Sequence, residues 1–233
     1  MTAVFKREFK SYFTNPLGFI IIAAFTFLSG MPFGMIFASG SPAVHGVVNF
    51  MSTVVIFATP FITMRLISED RRQKVDQVLL TAPVTVTGIV MGKFLAAMAL
   101  YALGLIALAV YPFIISFYTT IDWLLYLYSI IGILCLGAVM ISIGMFISSL
   151  TESPVVSAAV TFAVFLAIML LGSYASSTGS AVLTFVNGAI SFIDRFYSFT
   201  TGVCDLADLI YMLSVSALFV FLTVRSVEKR RWA

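Results

Sequence analysis

The densest polar chemistry in the 233-residue chain is one run, Ser68-Glu-Asp-Arg-Arg-Gln-Lys-Val-Asp-Gln-Val-Leu-Leu-Thr-Ala-Pro83. On a helix, Asp70 with Lys74 and Arg72 with Asp76 form i, i+4 pairs of opposite charge. Ser68 suits the N-cap, Glu69 and Asp70 suit the positive end of the first turn, and Pro83 marks the stop. Val75, Val78 and Leu79 share one face. Docking, not catalysis, is the chemistry open to such an element. A helix this short is marginal alone, so its mixed-charge side needs a surface to hold it; the bland alternative is a solvated turn.

The remaining reactive residues are scattered. His45, the sole histidine, falls in a short loop between apolar runs. No His-Glu-x-x-His pair, His/Cys cluster or nucleophile with a base in reach occurs. Gly88-Ile-Val-Met-Gly92-Lys93-Phe94 lacks the four-residue spacing and the Ser or Thr after Lys that a phosphate loop needs. Asp205 and Asp208, with Asp194 beside Arg195, are too few for a calcium cage and read as helix caps and interface anchors. Cys135 sits within an apolar run and Cys204 lies elsewhere, so they suggest no disulfide framework. The residues indicate no catalytic site, metal or cofactor in the chain.

Composition explains the scarcity. Hydrophobic residues make up 61% of the chain and charged residues 10%, whereas a soluble domain carries about 25% charged residues. A soluble enzyme, a disordered chain and a disulfide scaffold are excluded, and the basic residues lack the single soluble face that nucleic acid requires. The solvent is lipid. Six stretches reach the ~20 apolar residues of a membrane helix: 17–38, 47–64, 94–117, 124–149, 155–173 and 209–224. None contains Asp, Glu, Lys, Arg or His. Six crossings put both termini on one side, and of the 13 basic residues all but Arg195 fall on that side. The excess marks it as cytoplasmic. The expected fold is therefore an all-α integral membrane protein, with residues 1–233 forming a single transmembrane domain. The first apolar run is too long for a cleavable signal core and no small-x-small site follows it.

Further elements belong to the two faces. In residues 1–15, Phe5, Phe9 and Phe13 recur at i, i+4 and i+8 while Lys6, Arg7 and Lys10 occupy the other side, as in an interfacial amphipathic helix. Gly88, Gly92 and Ala96, and likewise Gly144 and Ser148, suit close helix packing, and Lys93 can snorkel to the interface. Pro16 suits a helix start, and Pro32, Pro60 and Pro112 are expected to kink their helices. Residues 174–208, Ser/Gly-rich and then aromatic, are too broken to cross the membrane. Short amphipathic or re-entrant helices on the outer face are expected there, where an extracytoplasmic partner protein could join.

Spans free of ionisable groups give no visible way to capture an ion gradient, and the chain has no ATP-binding loop. Energy for any uphill transport must come from another polypeptide, and the charged segment at 68–83 is the natural point of contact.

The stretch from Ser68 through Val84 to Gly88-Ile-Val-Met-Gly-Lys-Phe-Leu-Ala96 resembles ABC-2-type permeases, in which a charged run leads to Gly-Thr-x-Glu-Leu-Leu-Leu-Thr-x-Pro-Val and then Ile-Val-x-Gly-Lys. Gly202-Val-Cys-Asp-Leu-Ala-Asp-Leu-Ile-Tyr-Met-Leu-Ser214 and Leu222-Thr-Val-Arg-Ser-Val-Glu-Lys-Arg-Arg-Trp232 resemble the gliding-motility-associated branch. The resemblance implies a permease subunit in the bacterial inner membrane, most simply an exporter. It would pair with a second permease, identical or paralogous, and with cytoplasmic ATPases that bind ATP and Mg. It also implies an elbow helix at 1–15 and re-entrant helices within 174–208. The segment 68–83 would be a coupling helix, with Glu69, Asp70, Arg71, Arg72, Lys74, Asp76 and Gln77 meeting the ATPase. Two departures stand out: Lys74 and Val75 replace Gly-Thr, and Gln77 replaces Glu, so an acidic contact would fall to Asp76 or Glu69. The competing expectation is a mechanical or scaffold subunit of an envelope or motility complex, driven by the same ATPase.

Overall fold

The computed structural model describes residues 1–72, 85–178, 187–188, 191–202 and 205–231. Its principal helices are α1 Thr2–Thr14, α2 Leu17–Ala38, α3 His45–Thr63, α4 Ser68–Arg72, α5 Val86–Gly104, α6 Ile106–Ser116, α7 Trp123–Leu150, α8 Pro154–Thr178, α9 Phe192–Thr200 and α10 Leu206–Arg231. No strand occurs among the described residues. Among the described residues, six stretches are long and apolar enough to cross a bilayer: Leu17–Ala38, His45–Arg72, Val86–Ser116, Trp123–Leu150, Pro154–Tyr174 and Leu206–Lys229.

Two boundaries correct the sequence reading. The third span begins at Val86, where the Thr85 hydroxyl accepts the Gly88 N–H at 3.2 Å as an N-cap. Lys93 therefore lies inside a spanning helix, not at its edge; a charge that marks a boundary in a hydropathy count is here neutralised within the fold. His45, read as a loop residue, opens α3. At the end of α2 the chain turns through Gly40, whose φ of +64° favours glycine and closes the helix.

The central helix is α7. In its most apolar stretch 72% of the residues are buried, against 17% in the first and fifth spans. Small residues along it admit a different neighbour at each level. A Cβ on Gly132 would stand 2.8 Å from Phe199 of α9, and one on Gly137 or Gly144 would run into the Tyr101 ring of α5 or the Thr63 hydroxyl of α3. Without side chains at these points the helices approach closely, and dispersion contacts hold them together where lipid offers no hydrophobic drive. Gly144 was legible as a packing residue; Gly132 and Gly137 were not singled out.

Pro32, Pro60 and Pro112 lie inside α2, α3 and α6. In the third span the helical run breaks at Leu105, between α5 and α6, rather than at Pro112. Pro112 has no N–H for the Leu108 carbonyl one turn earlier, and the Tyr126 hydroxyl of α7 donates to that carbonyl instead. With this partner supplied, the helix continues through the proline.

Candidate functional site: a buried charge junction

At one end of the bundle α1, α4 and the start of α5 converge on Lys93. Its side chain is only 3% exposed, and Nζ lies 2.7 Å from Asp70 Oδ2 and 3.1 Å from Glu8 Oε1. Arg7 closes the group, with a nitrogen 2.5 Å from Glu8 Oε1 and 3.7 Å from Asp70 Oδ2. Two cations thus face two carboxylates drawn from three separate elements. A charge buried this far is costly unless paired; here each has an opposite partner.

The sequence places these groups by helical period. Val4, Glu8 and Tyr12 recur every four residues and form the inner stripe of α1. Val4 packs at Gly92, Glu8 meets Lys93, and the Tyr12 hydroxyl donates to the Ile62 carbonyl at 3.2 Å. Phe5, Phe9 and Phe13 form a second stripe, with successive ring centroids 5.7 and 5.1 Å apart. Lys6 and Lys10 are exposed, as expected of a polar side, but Arg7 turns toward the acids. Burial pushes the Glu8 carboxyl up; the Lys93 ammonium and the Arg7 guanidinium outweigh it and hold the group below the usual carboxylate range. Burial, reinforced by Glu8 and Glu69, pushes the Tyr12 phenol up.

On its opposite side α4 is fastened to the end of α7. Arg71 Nη1 donates to the Ser149 and Thr151 carbonyls at 2.9 and 2.8 Å, and Nη2 lies 3.9 Å from Glu152. These carbonyls are the orphan acceptors of a helix C-terminus, where a cation is favoured. Ser148 Oγ accepts the N–H groups of Ile67 and Ser68 at 3.2 and 3.1 Å. The expected local cap is therefore corrected: the Ser68 hydroxyl donates back to the Met64 carbonyl, and a serine from another helix covers the start of α4.

Four charges expected to face a partner thus divide. Asp70 and Arg71 are occupied within the chain, Glu69 lies 3.8 Å from Arg65 and is partly exposed, and Arg72 is exposed. Lys74, Asp76 and Gln77 lie outside the described residues, as do both expected i, i+4 partners. Among the packing residues, Gly92 receives α1, Ala96 is fully buried in α5, and Gly88 lies beside its own N-cap. Glu8 was missed by the sequence reading. Its signal was its place in the Val4/Glu8/Tyr12 register, which the phenylalanine repeat overshadowed.

Between α1 and the end of the second span lies a cleft of about 350 Å³, lined by Arg7, Glu8, Tyr12, Arg65, Glu69 and Asp70 among others. At the other end of the bundle, Arg195 Nη1 lies 2.7 Å from Asp208 Oδ1, and its guanidinium stacks over Tyr211 at 4.0 Å. Asp205 accepts the Ala207 N–H at 2.9 Å. These aspartates anchor α9 and α10. Among the described residues no group of three or more His, Cys, Asp or Glu could hold a metal.

The ABC-2 type transporter profile matches residues 1–182, which include α1, α4, α5 and every residue of the Lys93 junction. The chain belongs to the ABC-2 type transporter family. No curated protein matches it. Membership makes it a multi-pass membrane permease subunit of an ABC transporter. The charges at this end of the bundle fasten α4 to α5 through Asp70 and to the end of α7 through Arg71.

Proposed function

We propose that the chain is the exporter-type permease of an ATP-driven transporter in the bacterial inner membrane. Two such subunits, identical or paralogous, work with two cytoplasmic ATPases that bind ATP and Mg. Both termini lie in the cytoplasm, α1 is the elbow helix, and 68–83 is the coupling helix that docks on the ATPase. Closure of the ATPase pair pushes on this helix, and the spans rearrange to move substrate across. The segment between α8 and α10, α9 included, forms the external re-entrant part.

The observation that carries the reading is the double fastening of α4, Asp70 to Lys93 in the third span and Arg71 to the end of the fourth. A passive loop between two spans has no need of buried charge at its root, whereas a lever does. The basic residues crowded at this end support its cytoplasmic placement, and the likeness of the coupling segment to ABC-2 permeases supports the ATPase as its partner.

Co-purification tests the proposal. An ATPase should accompany the wild-type chain and be lost, with its stimulation, in Arg72→Glu, which reverses a charge the fold leaves outward. Asp70 and Arg71 would be poor choices, because changing them breaks the chain's own packing. Intact association in Arg72→Glu and in a variant reversing Asp76 would overturn the coupling assignment. In reconstituted vesicles, ATP-dependent flux of amphipathic dyes supports an exporter, and ATPase stimulation without flux favours the mechanical alternative.

A further inference from the structure

The Gly92-Lys93 pair, conspicuous in the sequence, sits where α1, α4 and α5 meet, and only its link to Asp70 enters the coupling reading. We propose that Gly92-Lys93 is a docking site that ties α1 to the coupling segment, so that α1 moves with α4 as part of one lever. The inference rests on the coupling reading of 68–83 and adds a moving part to it.

Three observations converge. First, a Cβ on Gly92 would lie 3.1 Å from both the Met1 carbonyl oxygen and the Val4 side chain. The missing side chain is what lets α1 lie directly on α5. Second, the neighbouring Lys93 spends its single ammonium on two carboxylates, Glu8 of α1 and Asp70 of α4. Those elements are far apart in sequence, so the chain between them does not hold them in register; this bridge does. Third, Arg7 reaches both acids from the other side, and Tyr12 bonds the end of α3. The helix is therefore held at both spans that flank the coupling segment. Displacing α4 alone would pull Asp70 from Lys93 in surroundings where an unpaired charge is expensive. Moving α4 together with α1 and the start of α5, which carries Lys93, keeps the group intact. The phenylalanine stripe is only partly buried, so that face of α1 can slide in an interface while its Val4/Glu8/Tyr12 face stays bound to the bundle.

Hydrogen exchange on the full permease with its ATPase in lipid nanodiscs tests this, comparing the nucleotide-free and vanadate-trapped complexes. In wild type, trapping should change exchange in peptides covering both 2–14 and 68–72. Glu8→Gln cuts only the leg to α1. It should raise basal exchange in 2–14 about tenfold and abolish the response there, while the response in 68–72 remains. Gly92→Val, which wedges α1 away without touching a charge, should give the same separation and serves if Glu8→Gln folds poorly. A wild-type response in 68–72 with none in 2–14, or a 2–14 response that survives both substitutions, overturns the inference and leaves the coupling reading standing. A wild-type permease that recruits no ATPase overturns the coupling reading, and the lever with it.

Discussion

Lys93 and Asp70 stand 2.7 Å apart, joining a lysine inside the third span to an aspartate in the charged segment that follows the second. The pair turns part of an outwardly polar sequence inward. Asp70, expected to pair with Lys74 and face a partner, instead secures the base of its own element. With Glu8 and Arg7 it makes a group in which every charge has an opposite neighbour, and removal of any one leaves an excess behind.

Lys93→Met should therefore be more damaging than the loss of one surface ion pair. It leaves Glu8 and Asp70 close together and half-neutralised by Arg7 alone, and breaking a buried pair in this way costs about 3–5 kcal/mol. Thermal unfolding in detergent should show a large drop. Adding Glu8→Gln to the same chain should recover part of it, because one stranded carboxylate disappears. Additive losses in the double variant would contradict a shared group.

The acid limit follows from Glu8. Its carboxyl is held below the usual range in the folded chain, so the unfolded chain takes up that proton first as pH falls. Its contribution is complete above the ordinary carboxylate pKa of about 4.3 and is lost as pH falls through the depressed folded value. The difference in melting temperature between wild type and Glu8→Gln should stay constant from roughly pH 8 to pH 5 and shrink below that. A gap that closes near neutrality would remove Glu8 from the junction.

Glycines on the helices are not equivalent. A Cβ at Gly137 would overlap the buried Tyr101 ring, whose hydroxyl is fixed by a 2.7 Å bond to the Ile133 carbonyl. At Gly34 it would meet nothing within 4 Å. Gly137→Ala should destabilise by about 1–3 kcal/mol through overpacking, while Gly34→Ala should be neutral or slightly stabilising. Equal melting temperatures for the two variants would contradict the close approach of α5 to α7.

Pro112 and Tyr126 make a matched pair, since the hydroxyl of one answers the carbonyl that the other leaves free. Tyr126→Phe should cost about 1–3 kcal/mol by stranding the Leu108 carbonyl. In a Pro112→Ala background the restored N–H takes that carbonyl, and the same substitution should cost far less. A double-mutant cycle on unfolding in detergent measures the coupling, and zero coupling would refute the pairing.

Much of this architecture was legible because lipid imposes a coarse rule. Each span must be a long apolar helix, so composition and length announced six of them, and the first was bounded at Leu17 and Ala38 as found. The phenylalanine repeat likewise announced a helix at the start of the chain. What misled was local: Lys93 looked like the edge of a span because isolated charge is incompatible with a bilayer, and Ser68 looked like a cap because its neighbours fit one.

Sequence alone thus determined the class, the helices long and apolar enough to cross a bilayer and the family likeness, since each depends on short-range pattern or on total apolar length. The tertiary structure decided which charges stay exposed, that a side chain at Gly92 would crowd α1, and that Ser148 rather than Ser68 covers the start of α4. Those outcomes depend on groups distant in the chain arriving within about 3 Å of one another, the range in which a hydrogen bond forms. No periodicity along one helix can specify such a meeting, because it is fixed by how several helices pack.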